Sequence, residues 1–146
     1  MLSLCFATSV FTQEVEDTFA NTIEMRHGLM LQMASDLRTM GAMAKGDAAY
    51  DGAATSKAAS NVAAIASALS MAQFPAGSKM GSAADSSALP AIWTAQEDLL
   101  MKVADLNTAA GALQPAAGTD LEALKAGMAG VGKAYSTCHK AYRQAE

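Results

Sequence analysis

Leu121, Leu124, Met128, Val131, Tyr135, Cys138 and Tyr142 follow one another at alternating steps of three and four. That spacing gathers their side chains on one face of an α-helix and would scatter them over both faces of a strand. Three other segments carry the same period. From about Glu16 to Lys45, Phe19, Ile23, Met30, Met33, Leu37 and Met40 keep step, with Arg26 filling the gap. From about Ala53 to Gln73, Ala58, Val62, Ile65, Leu69 and Ala72 make a thinner stripe of small residues. From about Ala91 to Leu113, Ile92, Gln96, Leu99, Val103, Leu106 and Ala110 line up. The fourth segment extends from about Thr119 to Gln144, and Thr119 with Glu122 reads as a capping box. Gly46 and "AAYDG" close the first segment, Pro90 opens the third, and "QPAAGTD" ends it. "FPAGSKMGSAADSSALP" is too long for a tight turn and reads as a segment crossing the bundle. No strand-like alternation competes. The pattern predicts an all-α protein, an antiparallel four-helix bundle.

The chain has 146 residues, enough for one domain, with residues 14–146 expected to form the bundle. Residues 1–13, beginning "MLSLCFATSVFT", are apolar and uncharged and read as the remnant of a signal peptide or as a disordered extension, and on either reading Cys5 is expected to take no part in a mature site. No stretch reaches the roughly 20 apolar residues of a membrane span. A net charge of −4 gives no basic surface for nucleic acid. No Glu-x-x-His of the di-iron type, nucleophile elbow or phosphate loop occurs, so an enzyme is not expected.

The chemistry lies in "YSTCHKAYR". Tyr135 and His139 are four apart and share a helix face, with Cys138 on the core stripe. Adjacent helical residues point about 100° apart, so Cys138 and His139 are badly placed to share a small ion such as zinc. They are well placed to hold something wide, a flat macrocycle bonded by sulfur at its edge and by imidazole at its metal, which is how x-Cys-His attaches haem. Taken alone, such a cysteine is more often a small buried hydrophobe. Arg26 adds weight. A guanidinium on a core stripe needs an anion, which a haem propionate would provide, as would Glu24 or Asp98. Met30, one turn on, offers a thioether, a good soft ligand for haem iron, though a methionine on a core stripe is more often packing. His27 adjoins Arg26 but lies off the stripe.

With these residues in order, the chain resembles the class II c-type cytochromes, the cytochrome c′ and cytochrome c-556 family, over about Thr18 to Arg143. "EMRHGLMLQMASDLRTMGAMAKGDAAYD" resembles the family's first helix, "LPAIW" the opening of its third, and "LEALKAGMAGVGKAYSTCHKAYR" its C-terminal haem helix. The resemblance implies that His139 is the axial ligand of the iron and Cys138 the second thioether cysteine. It implies that Arg26 lies near a propionate, Met30 takes the distal position as a candidate sixth ligand, and Arg143 flanks the proximal side. His27 falls where high-spin members often carry a glutamine along the haem. Tyr135 stands where the first cysteine belongs, which implies haem c held by a single thioether. The implied role is periplasmic electron transfer with an unidentified redox partner protein. The alternatives are a five-coordinate protein that binds nitric oxide or carbon monoxide, and a degenerate non-haem bundle. A homodimer through the first two helices is also implied.

Overall fold

The computed structural model describes residues 18–145. The signal-peptide segment 1–13 and Cys5 lie outside the described residues. Four long helices account for most of the chain: α1 (Ala20–Lys45), α2 (Gly52–Ala68), α4 (Gln96–Ala116) and α5 (Leu121–Tyr142), with a short α3 (Ala91–Thr94) before α4. α1 packs on α2 and α5, and α4 packs on α2 and α5, so the helices run round the bundle in the order α1, α2, α4, α5. The expected four-helix bundle is what the chain forms.

The stripes became the core. Met33, Met40, Val62, Leu113, Leu124 and Val131 have no exposed surface. Gly46 ends α1 in the left-handed conformation (φ 84°), which a residue with a Cβ rarely adopts, and its N–H returns to the carbonyl of Met43 at 3.1 Å. Asp51 caps α2 by accepting from the N–H groups of Ala53 and Ala54. The Tyr50 and Thr55 hydroxyls both donate to the Ala117 carbonyl, at 2.9 and 2.7 Å, tying the α1–α2 turn to the α4–α5 turn.

Four boundaries differ from those read in the sequence. α2 stops at Ala68 rather than Gln73, because Leu69 turns extended and Ser70 with Gln73 caps a new 3₁₀ turn, Met71–Gln73. The third segment breaks at Ala95 (φ −132°, ψ 47°), where Trp93 Nε1 donates to the carbonyl of Phe74. α4 then runs through Pro115 to Ala116 instead of ending at Leu113; in a last turn, proline forfeits a single bond. α5 is capped by Asp120, which accepts from Ala123 N–H at 2.8 Å, and not by Thr119, whose hydroxyl turns back to the Pro115 carbonyl. Glu122 pairs with Lys125 rather than closing a capping box. On the stripes, Ala72 and Gln96 are exposed.

Residues 74–90 cross one end of the bundle, and Arg26 holds them there. Its side chain is 5% exposed. Nη1 donates to the Gln73 carbonyl and Ser78 Oγ, and Nη2 to the Ser78 carbonyl and Ser86 Oγ, at 2.6–3.3 Å. The guanidinium also lies 5.4 Å from the centre of the Phe74 ring. The far side of the segment pairs with the end of α5: Leu89 N–H donates to the Tyr142 carbonyl and Gln144 N–H to the Ser87 carbonyl. The start of α1 and the end of α5 are thereby bound to one strip of chain.

Tyr142 secures the same end. Its buried ring sends its hydroxyl out to Asp98 Oδ2 at 2.5 Å, and Lys102 Nζ stands 3.5 Å from the same oxygen. The hydrogen bond from Tyr142 holds the Asp98 carboxyl below its ordinary range, with Lys102 adding to it and desolvation opposing. The same bond, then burial, pushes the Tyr142 phenol up to about 12.

Two outcomes follow from this end of the molecule. Arg26→Met leaves the Gln73 carbonyl without its donor and the Ser78 carbonyl with Ser86 Oγ alone, and should cost about 3 kcal/mol, since a hydrogen bond to a charged group contributes roughly 1.5–3 kcal/mol net of solvent. In a thermal melt, that corresponds to about 6–12 °C of Tm; Arg26→Lys, lacking the planar fork, should recover only part. A Tm unchanged in Arg26→Met would contradict the staple. In alkali, the stabilisation from a raised phenol is complete below its ordinary value near pH 10 and is lost as the pH climbs towards about 12. Absorbance at the tyrosinate band should show Tyr142 ionising only as the pH approaches about 12. Tyr142→Phe should remove that step and Asp98→Asn should bring it down.

Candidate functional site

The last turns of α5 carry the Cys-His pair, and both side chains are half-buried. Cys138 is a free thiol packed against the buried cluster of Ala88, Ile92, Leu99 and Tyr142. Burial pushes its pKa up; the nearby Lys102 pulls the other way and Asp98 adds a little. At neutral pH it is a protonated thiol. Burial, and then the positive charge of Arg143, push the His139 pKa down. Its imidazole is therefore neutral at pH 7 and keeps a nitrogen lone pair for a metal.

Tyr135 sits one turn back along α5. Its ring meets the His139 ring edge-on, with centroids 4.1 Å apart and planes at 63°. Tyr135 is half-buried, and its body packs on the main core. Arg143 caps α5 through its own N–H, which donates to the His139 carbonyl at 3.0 Å.

Among the described residues, the buried apolar side chains other than Ile23 fall into two clusters. The larger fills the middle of the bundle around Met33, Val62, Leu106 and Val131. The smaller lies towards the crossing segment, around Ala88, Ile92, Leu99 and Tyr142. On α5 the division falls between Tyr135, which packs on the first, and Cys138, which packs on the second. The Cys-His pair thus sits where the core is interrupted.

On α1, Arg26 is buried as its stripe position required, and Met30 and His27 beside it are half-buried. Among the described residues, no carboxylate serves as the anion expected for Arg26. Neither Glu24 nor Asp98 pairs with it; its terminal N–H groups serve neutral oxygens of the crossing segment, and of five donors only Nε–H is left over. Sequence reading placed Arg26 well but missed its partners Gln73, Ser78 and Ser86. It also missed the Asp98–Lys102–Tyr142 group beside Cys138. The serines of "SKMGSAADSS" were the only advance signal, and serines are too common in loops to count as one.

The donor set can be compared with what might bind it. Among the described residues, no three His, Cys, Asp or Glu side chains converge as a metal cage. One imidazole that is neutral at pH 7, one thiol on the neighbouring residue and an apolar surround divided in two fit a haem held at its iron by His139 and at its edge by Cys138. Tyr135 has no group able to make the second thioether.

Comparison with known proteins agrees. The family model described as Cytochrome C′ matches residues 21–143. Cytochrome c-554 of Cereibacter sphaeroides is 48% identical over 122 residues, which cover 84% of this chain and 80% of that one. Among solved structures, a cytochrome c prime from Shewanella frigidimarina superposes with a TM-score of 0.78 at 34% identity, covering 87% of this chain and 97% of its own. A point variant of cytochrome c prime from Alcaligenes xylosoxidans, solved as its nitric oxide complex, gives 0.75 at 28% identity, with coverages of 87% and 97%. The stripes, the divided core with its Cys-His pair and these matches lead to one conclusion: the chain belongs to the cytochrome c′ family of haem proteins.

Proposed function

We propose that the protein carries electrons in the periplasm, with haem c attached through the single thiol of Cys138 and its iron bound by His139, and that it turns over no substrate. The observation that carries this reading is the free thiol beside a neutral imidazole where the core divides. Haem supplies an iron that changes between ferric and ferrous; the chain supplies everything around it. His139 offers a nitrogen lone pair. Cys138 anchors one edge, and Tyr135 stands against the side that has no anchor. The second apolar cluster keeps water away, which also tunes the potential. Met30, on the α1 face that carries Arg26, is proposed as the sixth ligand, with Arg26 and Arg143 as neighbouring positive charges. His27 is placed beside the same face.

The second reading, a gas-binding protein, draws support from the nitric oxide complex of the Alcaligenes xylosoxidans relative. It requires an iron that Met30 leaves free. For assembly we propose a homodimer through α1 and α2. Leu31, a large apolar side chain on α1, is 71% exposed, as a residue awaiting a partner would be.

These proposals share one preparation, the full chain expressed with c-type maturation factors. Haem should stain on a denaturing gel for wild type and vanish for Cys138→Ala; wild type without covalent haem would end the reading of Cys138. A reduced pyridine haemochrome should show the band of haem with one saturated vinyl. The ferric spectrum should be low-spin in wild type and high-spin in Met30→Leu. A high-spin wild type would turn the assignment to gas binding. Leu31→Glu should shift the protein towards monomer in sedimentation velocity, and equal sedimentation of the two would count against this interface.

A further inference from the structure

We propose that Tyr135 is a positioning residue for His139: its ring sets the plane of the imidazole, at the place where the family resemblance puts an attachment cysteine. This rests on the reading of His139 as the axial ligand. Helical side chains lean towards the N-terminus, so a residue at 139 lies over the turn that holds 135. The structure makes that proximity a ring contact, with centroids 4.1 Å apart and planes at 63°, the edge-to-face arrangement that aromatic quadrupoles favour.

The Tyr135 ring is itself anchored. It packs against the main core cluster, so it has little freedom to follow the imidazole if the latter swings. Metal-binding histidines are usually oriented by a hydrogen bond from the second ring nitrogen to a carboxylate or carbonyl. Among the described residues, neither ring nitrogen of His139 makes such a bond; the contact that the structure gives the ring is Tyr135. A cysteine at 135 has no ring to offer. The substitution therefore exchanges a covalent tether at the macrocycle's edge for a restraint on the metal's ligand.

The test needs variants that separate ring from bulk: Tyr135→Phe keeps the ring, and Tyr135→Leu keeps apolar volume without it. In the full chain without haem, labelled at histidine and assigned through the backbone, the His139 ring protons should be displaced by ring current and show cross-relaxation to the Tyr135 ring. Both signs should persist in Tyr135→Phe and disappear in Tyr135→Leu, with far-UV circular dichroism confirming the fold. In the haem-loaded protein, ferric electron paramagnetic resonance should give wild type and Tyr135→Phe the same sharp g-values, and Tyr135→Leu a broadened spread. His139 resonances unmoved in Tyr135→Leu overturn the proposal. Should that variant fail to fold, the absence of cross-relaxation between the two rings in wild type overturns it equally. Wild type that shows the ring contact yet takes up no haem overturns the reading of His139 as a ligand, and the positioning role with it. The two failures are read on different samples and cannot be confused.

Discussion

A single guanidinium organises the functional end of this bundle. Arg26 is buried with no carboxylate among the described residues to meet it, and its terminal N–H groups converge on oxygens of residues 73–86. Desolvation disfavours the charged form, and the Arg26 pKa is lowered accordingly. An arginine nevertheless keeps its charge, so the surroundings must supply oxygens. The chain meets that demand with two carbonyls and two hydroxyls from residues far along the sequence. Once residues 73–86 are gathered on Arg26, the residues that follow reach the end of α5, and residues 87–89 pair with 142–144. The helix that carries Cys138 and His139 is therefore fixed to the helix that carries Met30 through one polar knot.

The same knot explains a division of labour among positive charges. A family resemblance suggests that Arg26 neutralises a propionate, yet its hydrogen bonds in this structure are structural, with Nε–H as the remaining donor. Arg143, at the end of α5, is exposed and acts electrostatically on His139. Lys102 stands near Cys138 but is engaged by Asp98. Of the three cations, Arg143 bears on the electronic state of the imidazole, while Arg26 bears on whether the frame holds.

The helices were legible because burial on one face imposes a period that sequence displays directly. Ile23, Met33, Met40, Val62, Leu106 and Val131 are buried where the stripes put them. The breaks were not legible, because they depend on bonds between segments. Ala95 carries no helix-breaking chemistry; it bends where Trp93 reaches Phe74 and Tyr142 packs nearby. Leu69 lies in phase with its helix, and only the Ser70–Gln73 capping box, visible in retrospect as S-x-x-Q, marks the new turn. Asp120 outcompeted Thr119 as a cap, although both are good cap residues, because Thr119 bonds back to Pro115. The site divides in the same way. Cys138, His139 and Tyr135 could be placed from spacing on one helix. The oxygens around Arg26 could not, since they lie about fifty residues or more away along the chain.

What remains distinctive is how a helix of ordinary periodicity is arranged to hold a flat group. Adjacent positions 138 and 139 diverge by about 100°, which spreads sulfur and nitrogen too widely for an ion and suits a macrocycle. Positions 135 and 139 coincide on one face, which brings whatever occupies 135 against the imidazole. A cysteine there would address the macrocycle; a tyrosine addresses the ligand. The division of the core between Tyr135 and Cys138 follows from the same geometry: the tyrosine belongs to the mid-bundle packing and the thiol to the cluster under the crossing segment. Losing one tether need not loosen the site if the ring that replaces it is held by the core on one side and restrains the imidazole on the other. Rigidity lost at the edge of the group is then regained at its centre, within one turn of helix.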